Sequence, residues 1–388
     1  MKSISRRDFM KGLAITASAS VIPVFAKQTV SNNRPNVIIL FIDDLAYGEL
    51  GAFGCPDIPT PNMDSLAANG VKCTNSYITN PPCSPSRCCL MTGMYAQRFG
   101  KYGMARGLSI PSDHPTMAEF MREAGYITGM IGKWDIGSKK QGPLDRGFDQ
   151  VSCKPPIVKG KRYIYKKKDG SEGFLTDLDG EYLVEFTENN KDKPFFLYYS
   201  PYAIHEPNSE SPERYRRRST ATGKRRALAG NLIAVDDVIG KLLDTLRKHN
   251  LQNNTLIFLT GDNGGSLGSN CRPDPYRGGK GTGTQYEGWV HTPTIISWPG
   301  RIPKGTTYDG LICTMDFYAT AAAVAVRSLP KRCDGKNLLP YLRGEKKGDA
   351  HNPVRHKDCG VIFSGGGLPK KIFYRLPILN LRDVHTPA

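Results

Sequence analysis

Asn36–Ile42, NVIILFI, is an unbroken apolar run rich in β-branched residues, and it stops abruptly at Asp43-Asp44. A strand with one face in water alternates apolar and polar side chains. This run does not, so it predicts a strand covered on both faces, as in a parallel sheet. Residues 255–260, TLIFLT, repeat the pattern and stop at Gly261-Asp262-Asn263-Gly264-Gly265. Further strands are expected over 126–131, 195–199 and 294–298. Between them, Leu228, Leu232, Val235, Val238, Ile239, Leu242, Leu243 and Leu246 recur at intervals of three and four. That period predicts one helix with a single apolar stripe over 227–248. Shorter helices are expected over 61–68, 116–123 and 316–326. Strands alternating with helices imply an α/β layered fold, in which sites gather at the carboxyl ends of strands.

That rule gives the acidic pairs their meaning. Either pair alone reads as a turn or a helix cap. Together, Asp43 and Asp44 at one strand end and Asp262 and Asn263 at another place four oxygen-bearing side chains where they converge on a hard cation. An irregular oxygen cage with three anionic members favours calcium over magnesium.

Composition narrows the partners. The 388 residues carry a formal net charge of +17, which favours an acidic partner: nucleic acid, anionic lipid, or a sulfated or carboxylated glycan. Basic residues cluster in KGKRYIYKKK, residues 159–168, and ERYRRRSTATGKRR, residues 213–226; solvated loops without a ligand are the alternative for each. The chain opens with Arg6-Arg7 in Ser-Arg-Arg-Asp-Phe-Met-Lys, followed by a weakly apolar run over 12–25 and Ala26. This pattern is expected to be a twin-arginine export signal over 1–26, read by the twin-arginine export machinery, with a periplasmic or extracellular destination. Thr16, Ser18, Ser20 and Pro23 interrupt the run, which is too short for a membrane span. Cleavage after Ala26 removes four basic residues and one acidic one, so the mature chain stays strongly basic. Export argues against nucleic acid as the partner, and no later stretch predicts a stable membrane span. The ten cysteines leave disulfides open, without a paired Cys-x-x-Cys arrangement of the zinc kind.

In PPCSPSRCCLMTG, residues 81–93, Cys83-Ser84-Pro85-Ser86-Arg87 followed by Thr92-Gly93 resembles the Cys-x-Pro-Ser-Arg…Thr-Gly motif of the formylglycine-dependent sulfatases, in the alkaline phosphatase superfamily. RPNVIILFIDDLAYGELGAFG, residues 34–54, resembles the family's first strand with its metal-binding aspartate pair. IGKWDIG, residues 131–137, resembles its Gly-Lys-Trp-His-Leu-Gly element. PFFLYYSPYAIHEP, residues 194–207, carries a matching His205, and TGDNGG, residues 260–265, matches the second metal element. YRGGKGTGTQYEGWVHTPTIISWPG, residues 276–300, resembles the segment supplying a sulfate-binding Lys280 and a conspicuous Glu287.

The resemblance implies an alkaline-phosphatase-like layered fold: a large mixed, mostly parallel sheet flanked by helices. A catalytic domain is expected over 27–330 and a C-terminal extension over 331–388. It implies a sulfuric ester hydrolase, arylsulfatase-like, acting on sulfated carbohydrate or another sulfate ester. A maturation enzyme would oxidise Cys83 to formylglycine, whose hydrate offers two oxygens. One attacks sulfur, and the other then loses its proton and expels sulfate. The cation would be held by Asp43, Asp44, Asp262, Asn263 and the converted Cys83. Arg87, four residues after Cys83 on the same helix face, would steady the formylglycine oxygens. Lys133 and Lys280 would clamp the sulfate, and His205 would protonate the departing alcohol. Cys88 and Cys89 are expected to pack within the helix.

Two features depart from the family. Asp135 stands where the Gly-Lys-Trp-His element has histidine, and after KKIFYR, residues 370–375, only LPILNLRDVHTPA remains where the family continues into a small antiparallel sheet with a packed helix. Lys133 and Asp135, two apart on an extended segment, are expected to point the same way, with Asp135 replacing histidine as the base that expels sulfate. The alternative is an Asp135 that only pairs with Lys133 in a slow or inactive site. Two other functions stay open: a phosphonate or phosphodiester hydrolase of the same fold, and a catalytically silent binder of sulfated glycans.

Overall fold

The computed structural model describes residues 34–100, 109–137, 141–152, 155–208, 210–282 and 286–351. Its strands are β1 (Asn36–Ile42), β2 (Gly70–Cys73), β3 (Ser76–Tyr77), β4 (Ile127–Gly132), β5 (Gln150–Ser152), β6 (Ile164–Lys166), β7 (Glu172–Phe174), β8 (Phe195–Ser200), β9 (Thr255–Gly261), β10 (Thr294–Ser297), β11 (Thr306–Tyr308) and β12 (Ile312–Cys313). Eight of them form one sheet in the order β11-β2-β10-β9-β1-β8-β4-β5. β9, β1, β8, β4 and β5 run parallel, and β10 is antiparallel to both of its neighbours.

The unbroken apolar runs are explained by cover on both faces. Val37, Ile39 and Phe41 of β1 face one core, and Ile38, Leu40 and Ile42 face the other. β9 divides in the same way, with Leu256 and Phe258 on the first side and Ile257 and Leu259 on the second. Residues from the helices Cys83–Thr92, Met117–Glu123 and Asp316–Val324 fill the first core. Those of Pro61–Ala68, Leu175–Asn190 and Gly223–Lys248 fill the second. Alternation along the pleat sends neighbouring side chains to opposite layers, so a two-sided strand reads as a mostly apolar run whose few polar side chains are hydrogen-bonded.

The expected strands and helices form with small shifts at their ends. The long helix starts at Gly223, ahead of its apolar stripe, and the helix expected over 316–326 closes at Val324. Met117–Glu123 is closed by a reciprocal cap: Thr116 Oγ1 accepts from the Glu119 N–H at 3.1 Å while Glu119 Oε2 accepts from the Thr116 N–H at 2.7 Å. The helix Leu175–Asn190 was not expected. Its buried face includes Thr176, Asp179, Gly180, Thr187 and Asn190, which break the apolar period.

Among the described residues no helix is long and apolar enough to cross a membrane. Cys55, Cys73, Cys83, Cys89, Cys271, Cys313 and Cys333 are free thiols, and Cys88 and Cys89 are fully buried in the core as expected. The export signal over 1–26, Cys153, Cys359 and the segment 370–375 with its short tail lie outside the described residues.

Candidate active site

The register of the sheet builds the site. β1 and β9 pair from Asn36↔Thr255 to Ile42↔Gly261, so the next residues, Asp43 and Asp262, emerge side by side. The Asp262 N–H donates to the Ile42 carbonyl at 3.1 Å and carries the pairing one step past the strand. Asp44 then turns through φ 61°, a left-handed conformation uncommon for a residue with a side chain, and its N–H donates to Asp262 Oδ1 at 3.1 Å. Asn263 Nδ2 donates to Asp44 Oδ1 at 2.7 Å. All four side chains are buried.

Cys83 opens the helix Cys83–Thr92, which closes at Gly93 with φ 65°. Pro85 fits the first turn, where the backbone N–H has no intrahelical partner. Cys83 Sγ lies 3.5 Å from Asp43 Oδ1 and 3.5 Å from Lys280 Nζ. One turn on, Arg87 is wholly buried: Nη2 donates to Asp262 Oδ2 at 2.6 Å, and Nη1 donates to Tyr198 Oη at 2.9 Å and to Ser200 Oγ. Tyr198 and Ser200 are two apart on β8 and so share the face that meets Arg87.

The remaining residues arrive from other strand ends. Gly132 closes β4 at φ 98°, and a Cβ there would fall inside the Ser200 carbonyl, so glycine is required. The next residue, Lys133, places Nζ 2.6 Å from Asp43 Oδ2. The segment after it is not extended as expected: Asp135 sits at φ 51° with its side chain 38% exposed, 3.6 Å from Lys133 Nζ. His205 follows β8 on a loop tied to β1 by the Ile204 N–H on the Asp43 carbonyl, 3.1 Å, with Nε2 3.9 Å from Asp44 Oδ2. Lys280 is set by its own N–H on the Gly265 carbonyl, 2.9 Å, and its Nζ donates to both Asp44 oxygens at 2.8 and 3.0 Å. The residues read from the sequence as nucleophile, metal ligands and clamps thus converge. Glu287 lies elsewhere, 3.5 Å from His291 Nδ1.

Burial would raise the Asp43 carboxyl, but Lys133, Arg87 and His205 hold it well below the usual carboxylate range. Burial and Asp43 beside it push Asp262 up to about 6 although Arg87 donates to it, and the same two causes raise Asp44. Burial and the surrounding carboxylates raise the Cys83 thiol, so an unmodified cysteine here stays protonated. The donor set fits a hard cation. Three carboxylates crowd together, and Asn263 Oδ1 is buried with no hydrogen-bond partner among the described residues, which leaves an amide oxygen to ligate. Asp43, Asp44, Cys83 and His205 bring ligand atoms within 4.8 Å of one another.

Three partners escaped the sequence. Tyr198 and Ser200 carry a period-two signal on β8 but no charge. Arg162, inside the basic run 159–168, reaches His205 Nδ1 and the Glu206 carbonyl, and spacing could not have joined loops so far apart in the chain. The other basic run is mostly spent on the fold: Arg214 pairs with Asp177, Arg218 with Asp237, Arg226 with Glu213, and Arg225 with Glu49 and Asp57.

A mixed, mostly parallel sheet that presents a cysteine-bearing helix among strand-end carboxylates defines the class, the alkaline-phosphatase-like layered fold. The profile of the family described as Sulfatase matches residues 35–326. Arylsulfatase A of Homo sapiens is 32% identical over 380 residues, covering 85% of this chain and 72% of that protein. N-acetylgalactosamine-6-sulfatase of Canis lupus familiaris is 31% identical over 355 residues, covering 80% of this chain and 66% of that protein, so the chain spans about two thirds of its length. The crystal structure of Ps i-CgsB in complex with k-i-k-neocarrahexaose superposes with a TM-score of 0.74 at 29% identity, over 82% of this chain and 78% of that one. The chain belongs to the sulfatase family, a family of sulfuric ester hydrolases.

Proposed function

We propose that this protein hydrolyses sulfate esters of carbohydrates, with Cys83 converted to formylglycine by a maturation enzyme and calcium held by Asp43, Asp44, Asp262, Asn263 and the converted residue 83. The observation that carries the reading is the position of Cys83, at the start of its motif helix and 3.5 Å from both Asp43 and Lys280. Conversion would supply a hydrated aldehyde as the nucleophile in place of a thiol that burial keeps protonated. Bound calcium would supply Lewis-acid polarisation of a sulfate oxygen.

The chain's own groups do the rest. Lys133 and Lys280 orient the sulfate as point charges, each already held by a carboxylate that fixes its reach. Arg87 fixes Asp262 and borders residue 83. His205 Nε2 faces the cluster and protonates the departing alcohol, while Asp135 takes the proton when sulfate is expelled. Carbohydrate is favoured by the hexaose in the Ps i-CgsB complex and by the exposed Lys159, Lys161, Lys166, Lys167 and Lys168 near Arg162. Export by the twin-arginine machinery to the periplasm or beyond fits such a substrate.

The test is protein made beside a maturation enzyme. Mass spectrometry of the tryptic peptide should find an aldehyde at residue 83, and turnover of sulfate esters should exceed that of phosphonate and phosphate diesters. An active preparation with only thiol at Cys83 overturns the nucleophile. Faster turnover of phosphonates overturns the substrate, and glycan retention by Cys83→Ala with no turnover in the parent leaves a binder.

A further inference from the structure

On the sheet's first side, well along the chain from the proposed catalytic cluster, three chemically different donors meet. β12 ends at Cys313, the helix Asp316–Val324 begins three residues later, and the chain returns at His351 to the same point. His351 Nε2 lies 2.8 and 2.9 Å from the two Asp316 oxygens and 3.4 Å from Cys313 Sγ, which is 3.6 Å from Asp316 Oδ2. Asp316 is wholly buried and Cys313 nearly so, whereas the His351 side chain is 14% exposed. Asp316 is oriented by the N–H groups of Cys313 and Lys336, each donating at 2.8 Å to a different oxygen. Each carboxylate oxygen therefore keeps a lone pair for another partner.

We propose that Cys313, Asp316 and His351 form a second cation site, one that takes zinc or a similar borderline transition ion and leaves a fourth position to water. The donor types carry the assignment. A thiol sulfur, an imidazole nitrogen and a carboxylate oxygen suit such an ion, whereas the Asp43 cluster, rich in oxygen, suits a hard one. The spacing agrees. Tetrahedral zinc with ordinary bond lengths separates its donor atoms by roughly 3.3–3.6 Å. Two of the three separations, 3.4 and 3.6 Å, already lie there, and the third needs only a small rotation of the carboxylate. Binding releases the Cys313 thiol proton to solvent as the sulfur–metal bond forms, and the imidazole proton moves to Nδ1 so that Nε2 can donate its lone pair. The ion would then staple the returning chain at His351 to β12, which pairs with β3 just ahead of the Cys83 motif, and to the cluster that contains Cys89 of the motif helix.

The test titrates the full-length protein with cobalt and then zinc, in excess calcium to fill the carboxylate cluster. A thiolate-to-cobalt charge-transfer band should saturate at a single equivalent, and zinc should displace cobalt with an affinity of about micromolar or tighter. Zinc should also raise the parent's melting temperature. The band should vanish in Cys313→Ser and in His351→Ala, and persist in Cys83→Ser. His351→Ala, at the partly exposed ligand, keeps the test open if Cys313→Ser fails to fold. No band in the parent, or a band lost in Cys83→Ser and kept in Cys313→Ser, overturns the site.

Discussion

Arg87 and the arginines of residues 214–226 make the same bond, a guanidinium on a carboxylate, in opposite surroundings. Arg87 has no solvent exposure and faces Asp262 and Asp43, themselves buried. Arg214, Arg218 and Arg226 are 38–53% exposed, and their partners are open to water. Arg225 stands between, 14% exposed, with wholly buried Glu49 on one side and Asp57 on the other. A dense run of basic residues is conspicuous in a sequence, yet water and salt screen most of its pairs. A single arginine inside Cys-Ser-Pro-Ser-Arg is inconspicuous as charge yet costly to remove, because wholly buried Asp262 would lose the guanidinium on its Oδ2 while Asp43 kept only Lys133.

The largest effect expected is from Arg87→Met. Breaking that pair should cost about 3–5 kcal/mol in denaturant unfolding and abolish sulfate ester turnover. A folded variant with parental stability would erase the contrast between the two arginine settings. Next is metal removal. Chelation leaves Asp43, Asp44 and Asp262 crowded, so turnover should vanish and the melting temperature fall, with both restored by calcium. Full activity in excess chelator would show that the lysines and Arg87 neutralise the cluster unaided.

Asp135→Asn tests a charge that is half exposed yet beside the site. Turnover should fall on the order of 100-fold while substrate affinity changes little, because the base acts only when sulfate is expelled. Parental turnover would assign the proton to another group. Arg225→Met should cost about 2–3 kcal/mol, a buried-pair penalty reduced by partial exposure. It should also change the acid limb of stability. Arg225 holds Asp57 below the ordinary carboxylate range, so the contribution of Asp57 is present above its unfolded value of about 4 and is lost as pH falls through the lowered one. The variant should lack that dependence. The smallest effect belongs to Arg226→Ala, which should leave the unfolding midpoint unchanged within error.

The same contrast explains what the sequence disclosed. Two-sided strands announce themselves because burial on both faces favours apolar residues at consecutive positions, so Asn36–Ile42 and 255–260 were legible, and their sharp ends located Asp43, Asp44, Asp262 and Asn263. Lys133, His205 and Lys280 were legible only through their motifs, since a lone lysine or histidine has no periodic signature. Leu175–Asn190 was hidden because glycine and hydrogen-bonding side chains occupy its inner face. Tyr198, Ser200 and Arg162 were hidden because their importance lies in which loop or strand lies opposite, a relation set by register rather than local pattern. Asp135 lies 3.6 Å from Lys133 Nζ, but its backbone turns where an extended one was expected, and that turn decides where its carboxylate sits.

The missing Cβ at Gly132 ties together quantities that would otherwise be independent. β4 and β8 meet there with no clearance, so the gap between the two strands also sets how far Lys133 reaches. Ser200, whose carbonyl fills that gap, holds Arg87 with its hydroxyl, so one added methyl would move the lysine and loosen the arginine together. For anyone reshaping this enzyme, position 132 behaves as a shim whose thickness is already zero: the joint beneath the site offers no adjustment.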